Sequence, residues 1–185
     1  MDIGLLLKDK SIKPKEKTAQ LSRLLLAGEL EIKQFIAFTF GAKDTEKATC
    51  IEALEFASKS NAKLVSTEAF DFVCGQLASK APRVKWESAK VIGNTIHLFE
   101  KKIDTAIMAL LPNTEDKGTV VRWSAAYALA EVIKIKGKHQ ADLLRFLKVF
   151  CCEKKKTASK KFMLRPLKKP LKTKKLNILT NKNQP

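Results

Sequence analysis

The chain has 185 residues, enough for one domain with a sizeable core or for one repeat array. Its hydrophobic fraction of 45% is that of an ordinary globular protein. The chain contains only seven Gly and six Pro. No membrane span is predicted, since no run approaches the roughly 18 consecutive apolar residues that a bilayer requires. Helically spaced segments dominate and no alternating run predicts a strand, so we expect an all-α fold.

The net charge of +17 is distributed unevenly along the chain. Residues 154–185 contain eleven Lys, one Arg and no acid, whereas residues 1–153 contain 24 basic and 19 acidic residues, a balance of +5. We therefore predict a folded domain over residues 1–150 and a flexible basic tail over residues 151–185, where prolines and dense lysines disfavour a helix. Two alternatives for the tail are a phosphate-binding arm and an out-of-frame read of an A-rich gene.

The predicted elements begin with a weak helical pair. KTAQLSRLLLAGEL (17–30) and EIKQFIAFTF (31–40) have helical spacing but no close copy downstream. We expect residues 1–45 to form a degenerate cap at the N-terminal end of an array.

Three further segments repeat one pattern: EKATCIEAL (46–54), VKWESAKVI (84–92) and VRWSAAYAL (121–129). They start 38 and 37 residues apart, and small or aliphatic residues recur at the fifth, eighth and ninth positions, which share one face of a helix. Each is followed by a second helical segment, over 62–79, 102–112 and 139–150. A helix pair with one apolar face cannot bury that face alone, so repeated pairs are expected to stack.

The run Val121–Leu129 closely resembles the first helix of a HEAT repeat, and more narrowly the short HEAT-like repeats named after phycobilisome lyases. The resemblance is clear over residues 46–150, weak over 1–45 and absent from the tail. It implies a right-handed α-solenoid of about four helical hairpins, an architecture whose usual work is to hold other macromolecules. A few relatives are enzymes, bilin lyases and DNA glycosylases, but no groove pairing an aspartate with flanking aromatics can be assembled here.

Cations recur at the second position of each copy: Lys47, Lys85 and Arg122. Acids lie in or beside the preceding loops. We expect these cations to form a polar ladder between repeats by pairing with an acid of a neighbouring turn, which is a structural rather than a ligand-binding role.

Aromatic and basic residues mark a candidate partner-binding ridge. Trp86 and Trp123 lie about 180° from the apolar stripe of their helices, with Lys90, Tyr127 and Lys134 on the same side. An exposed ridge of this kind would suit a protein partner or the stacking of nucleic-acid bases. The alternative is that the aromatic rings pack against adjacent helices or the cap.

The second helices offer another surface. The residues expected to be exposed there are mixed in charge: Glu68, Asp71, Asp104, Met108, Arg145 and Lys148. A change from acidic to basic side chains suits protein recognition better than a uniform phosphate-binding groove.

Little in the sequence predicts catalysis. His97 and His139 are 42 residues apart, and neither metal-ligand spacing nor a phosphate-binding Gly-rich motif is present, so no enzyme activity, metal or cofactor is predicted. Four cysteines without a disulfide framework favour the cytoplasm. We expect a monomeric, non-enzymatic scaffold for a protein partner, with nucleic-acid binding as the alternative and a HEAT-like modifying enzyme as the third.

Overall fold

The computed structural model describes residues 2–137 and 139–153, with side chains as far as Phe150. Within these ranges all regular structure is helical and no strand occurs, which confirms the predicted all-α class. The predicted tail lies outside the described residues except for 151–153, which belong to the last helix. The α-helices are α1 (Ile3–Lys8), α2 (Pro14–Ala27), α3 (Ile32–Gly41), α4 (Asp44–Ser60), α5 (Thr67–Gln76), α6 (Pro82–Thr95), α7 (Ile103–Leu110), α8 (Thr119–Ile133) and α9 (Gln140–Glu153).

Local signals explain several helix ends. Proline occupies the first position of α2 and of α6, where its missing N–H costs no hydrogen bond. Helix α2 ends at Gly28, whose φ of 72° is a left-handed conformation that favours glycine. The Ser66 side chain accepts a hydrogen bond from the Ala69 N–H at 3.2 Å and so begins α5. The predicted segment 62–79 is therefore divided, with a short 3₁₀ turn (Ala62–Leu64) before the helix.

Alternate helices lie beside one another. Helices α2, α4, α6 and α8, which we call the first helices, contact each other in chain order. Helix α3 contacts α5, and α5 contacts α7; with α9 these are the second helices. The second helices also pack against the first, since α3 contacts α4, α5 contacts α6, and both α7 and α9 contact α8.

A continuous apolar core lies between the first and second helices, from Ile3 in α1 to Phe150 in α9. Phe35 and Phe70, on second helices, are fully buried, and the Phe70 ring stacks on Phe99 with centroids 4.4 Å apart. The small residues of the repeat motif let the first helices approach closely: Ala53 and Ala128 are both fully buried.

Helix α1 was not predicted from the sequence. Asp2 caps it by accepting the Gly4 N–H at 2.7 Å, and Ile3 and Leu6 are buried. The Lys17 ammonium in α2 donates to the Leu7 carbonyl at 2.6 Å, which fixes α1 against the first of the long helices.

Candidate functional site

The structure does not form the exposed aromatic ridge that the sequence suggested, because Trp123 is buried. Only 9% of Trp123 is exposed, and its ring meets Phe150 of α9 edge-on with centroids 6.3 Å apart. No first helix is described after α8, and α9 packs against the Trp123 side of α8 instead. The interpretation in which the aromatic ring packs against an adjacent helix is correct for this residue.

Tyr127 is half-buried and connects α8 to α6. Its hydroxyl donates to the Asn94 Oδ1 at 3.0 Å, and its ring lies against the backbone of Gly93, where any side chain would collide with it. Desolvation raises the pKa of Tyr127 to about 12. Asn94 in turn donates to the Glu55 carbonyl and the Ser58 hydroxyl, both at 3.2 Å. A chain of hydrogen bonds thus joins α4, α6 and α8, and Tyr127 is a structural residue.

The other members of the predicted ridge are hydrogen-bonded to neighbouring acids. The half-buried Trp86 donates its indole N–H to Glu87 at 2.6 Å, and the Lys90 ammonium bonds the same carboxylate at 3.0 Å. Lys134 bonds its own-helix neighbour Glu131 at 2.7 Å. These cations are therefore less available to a phosphate or an acidic partner than their spacing indicated.

The predicted polar ladder is formed in part. Lys85 of α6 pairs with Asp116, in the turn before α8, at 2.8 Å, as predicted. Arg122 instead donates to the backbone carbonyls of Asp116 at 2.7 Å and Lys117 at 3.0 Å, so it stabilises its own turn. Within the described parts of the chain, Lys47 makes no ion pair.

A different pair joins α6 to α4. Arg83 bonds the Glu52 carboxylate at 2.7 Å, and Glu52 also accepts from the Thr18 hydroxyl of α2 at 2.9 Å. This connection was not predicted, because these residues do not occupy the recurring second position.

The second helices present a surface that is more accessible than the predicted aromatic ridge. The six residues expected to be exposed there are all exposed: Glu68, Asp71, Asp104, Met108, Arg145 and Lys148. Met108 is 75% exposed, the highest value for a large apolar side chain in the described residues. Its helix contacts α5, where Glu68 and Asp71 lie on the same outward side.

Phe40 is a second exposed apolar side chain of this surface, and it was not predicted from the sequence. Phe40 is 71% exposed, and its ring contacts that of the half-buried Phe72 on α5 with centroids 6.4 Å apart. It was not singled out because it ends an apolar run. Its spacing from Lys33 and Ala37, both exposed on α3, was the signal that could have placed it outside. We call the outward face of α3, α5 and α7 the second-helix face.

Ion pairs fix the charges around this face. The Lys102 ammonium bonds Asp71 at 2.6 Å, and the His139 imidazole contacts the Asp104 carboxylate. Within the part of the chain that the structure describes, Glu68 makes no ion pair. Its own backbone N–H and the Ser66 hydroxyl hold the pKa of Glu68 below its usual range, so it carries a full negative charge at neutral pH.

Cys50 and Cys74 are buried. Burial raises the pKa of Cys50 to about 11 and that of Cys74 to about 12, which keeps both thiols protonated. Among residues 2–137 and 139–153, no group of three or more His, Cys, Asp or Glu residues could hold a metal ion. None of the helices described is both long and apolar enough to cross a membrane.

Comparisons with protein-family models, with curated proteins and with solved structures find no match to this chain.

Proposed function

We propose that the chain is a non-enzymatic scaffold that binds another protein through the second-helix face. The observation that carries this proposal is the exposure of Phe40 and Met108, at 71% and 75% the two most exposed large apolar side chains among the described residues. Phe40 is on α3 and Met108 on α7, and α5 lies between these two helices and contacts both. Exposed anchors of this type are what the centre of a protein interface requires.

We further propose that α2–α9 form a right-handed α-solenoid of four HEAT-like hairpins. Support comes from the contacts between consecutive first helices and from the hydrogen bonds of Tyr127 and Asn94, which join three hairpins. A preformed surface of this kind loses little conformational entropy when a partner docks. Cytoplasmic location and a monomeric state stay predictions.

Nucleic-acid binding has less support from the structure than it had from the sequence. The Trp123 ring is buried, and the cations beside the remaining aromatics are engaged by Glu87 and Glu131. The positive charge of residues 154–185 is the remaining argument for it.

The experiment is an affinity capture from an extract of the source cells with three forms of the full chain. These are the wild type, the double substitution Phe40→Ala with Met108→Ala, and Phe56→Ala as the matched control. Phe56 is 44% exposed on a first helix, so it controls for loss of an exposed aromatic ring elsewhere. We expect at least one protein that the wild type and the control retain and the double variant loses. Equal capture by all three forms would refute this surface.

A second experiment tests the alternative function, nucleic-acid binding. A labelled DNA duplex and a single strand are titrated with the full chain at two salt concentrations. Binding that falls steeply with salt and is unaffected by the double substitution would favour nucleic acid over a protein partner.

A further inference from the structure

One side of α6 receives the next first helix, α8. Trp86, Ala89 and Gly93 recur there at intervals of three and four residues, which places them along one side of α6. A Cβ at Gly93 would meet the Tyr127 ring and the backbone of Ala128 on α8. This side of α6 is therefore a surface on which another helix packs closely.

Helix α8 carries the same pattern 37 residues further along the chain. The corresponding residues are Trp123, Ala126 and Ala130, and all three are buried. The Trp123 ring contacts Phe150 of α9 with centroids 6.3 Å apart. Helix α9 therefore packs on the side of α8 that repeats the helix-receiving pattern of α6.

The attachment of α9 consists of polar contacts at its start and apolar contacts along its length. The Gln140 side chain donates to the Ile133 carbonyl at 2.8 Å, and the His139 imidazole, just before the helix, contacts the Asp104 carboxylate. These contacts hold the first turn of α9 at the C-terminal end of α8, so α9 runs back along α8 towards Trp123. The buried apolar side chains that complete the contact are Leu143, Leu147 and Phe150.

Helix α9 has fewer helix neighbours than the other second helices. Helix α5 packs against α3, α6 and α7, and α7 packs against α5 and α8, whereas α9 packs mainly against α8. The connection from α8 includes Gly137, which is exposed and has nothing within 4 Å of the position that a Cβ would occupy. An element with few neighbours and an open connection needs less free energy to open than the elements inside the stack.

We propose that α9 is a hinged strap, which swings open from its first turn while α2–α8 stay folded and so uncovers the helix-receiving side of α8. The occupant that fits the uncovered side is the α9 of a second copy of this chain, because its apolar side chains are the ones that already pack there. The chain's own α9 is tethered by a short connection, so its effective concentration at this site is on the order of millimolar. A second copy therefore replaces it only where the strap is weakened or the protein is concentrated. This proposal does not depend on the second-helix face.

Hydrogen–deuterium exchange of the full chain, followed by mass spectrometry, tests the opening. We expect the amides of α9 to exchange at least tenfold faster than those of α4 and α6. Leu147→Ala should speed exchange further in α9 and leave α4 unchanged, because Leu147 is buried under the strap. Val149→Ala is the matched control, since Val149 is on the same helix but 50% exposed, and it should behave as the wild type does.

A labelled α9 peptide tests the uncovered surface. The probe is a fluorescein-labelled peptide of residues 139–153 with both cysteines replaced by serine, and its binding to the full chain is followed by fluorescence anisotropy. It contains two acidic and two basic residues, so its charge does not draw it to the basic residues 154–185. We expect the Leu147→Ala chain to bind it about tenfold more tightly than the wild type or the Val149→Ala chain does. A peptide carrying Phe150→Ala should bind about tenfold more weakly than the probe.

Three results would overturn the proposal. The first is exchange in α9 that is as slow as in α4 and α6, or equal acceleration of all three helices by Leu147→Ala, since α9 would then open only with the whole chain. The second is rapid exchange in α9 without binding of the probe to the Leu147→Ala chain, which would mean fraying rather than the release of a surface. The third is equal binding of the probe and of a peptide with the same composition in scrambled order.

Discussion

At Gly93 the Tyr127 ring lies where a side chain would begin. A Cβ at this position would be 2.5 Å from Cε1 of Tyr127 and 3.3 Å from the Cα of Ala128. Alanine is the better helix former by about 1 kcal/mol, but overpacking a well-filled site costs about 1–3 kcal/mol. The hydroxyl bond of Tyr127 to Asn94 holds the ring in place. We therefore expect Gly93→Ala to lower the free energy of unfolding by about 1 kcal/mol, measured by urea denaturation.

Gly75→Ala is the control for this substitution. Gly75 is also inside a helix, but it is exposed and has open space around it. Alanine there should raise the free energy of unfolding by up to about 1 kcal/mol. If both substitutions stabilised the protein equally, the close approach between α6 and α8 would not be a constraint.

Glu55 is a buried carboxyl group between α4 and α6, with only 6% of the residue exposed. Burial raises the pKa of Glu55, and the nearby Glu87 carboxylate adds to that effect, while Lys90, Lys59 and Asn94 act against it. A raised folded-state pKa favours folding below the unfolded value and loses that contribution as the pH rises through the folded value. The wild type should therefore lose stability from this group on going from acidic to neutral pH.

Glu55→Gln removes this dependence. We expect the variant to be more stable than the wild type at pH 7 by on the order of 1 kcal/mol, with the difference vanishing below the ordinary Glu value of 4.5. Urea denaturation across this pH range measures it, and the exposed Glu29→Gln is the matched control. A variant that is less stable at pH 7 would mean that the Glu55 charge is compensated by Lys90 and Asn94.

Between elements, Asp116 connects α6 to the turn that begins α8. Its carboxylate binds Lys85 at 2.8 Å and accepts the Gly118 N–H at 2.7 Å, and the Lys85 hydrogen bond, followed by that of Gly118, lowers the pKa of Asp116. Neither side chain of the pair is more than 20% exposed. The stabilisation should be fully present above the unfolded pKa of about 3.8 and lost as the pH falls through the folded value.

A double-mutant cycle with Asp116→Asn and Lys85→Met isolates this pair. We expect a coupling of about 1 kcal/mol at pH 7 that declines below about pH 4. Glu115→Gln, at the exposed neighbouring position, should leave stability unchanged. A coupling independent of pH would show that the charge of Asp116 contributes nothing and that only its cap on Gly118 matters.

The helices themselves were largely predictable because each long one carries an apolar stripe. The repeated motif located α4, α6 and α8, since their small and aliphatic residues occupy the same buried positions. Helix α1 was not predicted, because six residues are too few to show a period. The division of segment 62–79 depends on a single cap, Ser66, inside a run that continues the helical pattern.

For the whole molecule, residue exposure was predictable only where one helix decides it. Met108 and Glu68 are exposed because they lie opposite the core side of their own short helices. Trp123 has the same local pattern as an exposed residue, but α9 covers it, and no local spacing predicts where α9 packs. Phe40 was not singled out because it ends an apolar run, although its spacing from Lys33 and Ala37 puts it on the exposed side of α3.

The two buried thiols can report on the opening of one first helix and one second helix. Cys50 is on α4 and Cys74 on α5, so each thiol reports on its own helix. A thiol reagent can reach either one only when its helix opens, and the labelling rate under native conditions therefore measures the free energy of that opening. Cys151 and Cys152 are first replaced by serine. Unequal labelling rates of Cys50 and Cys74 would then show which helix opens independently, and equal rates would show that the two helices open together.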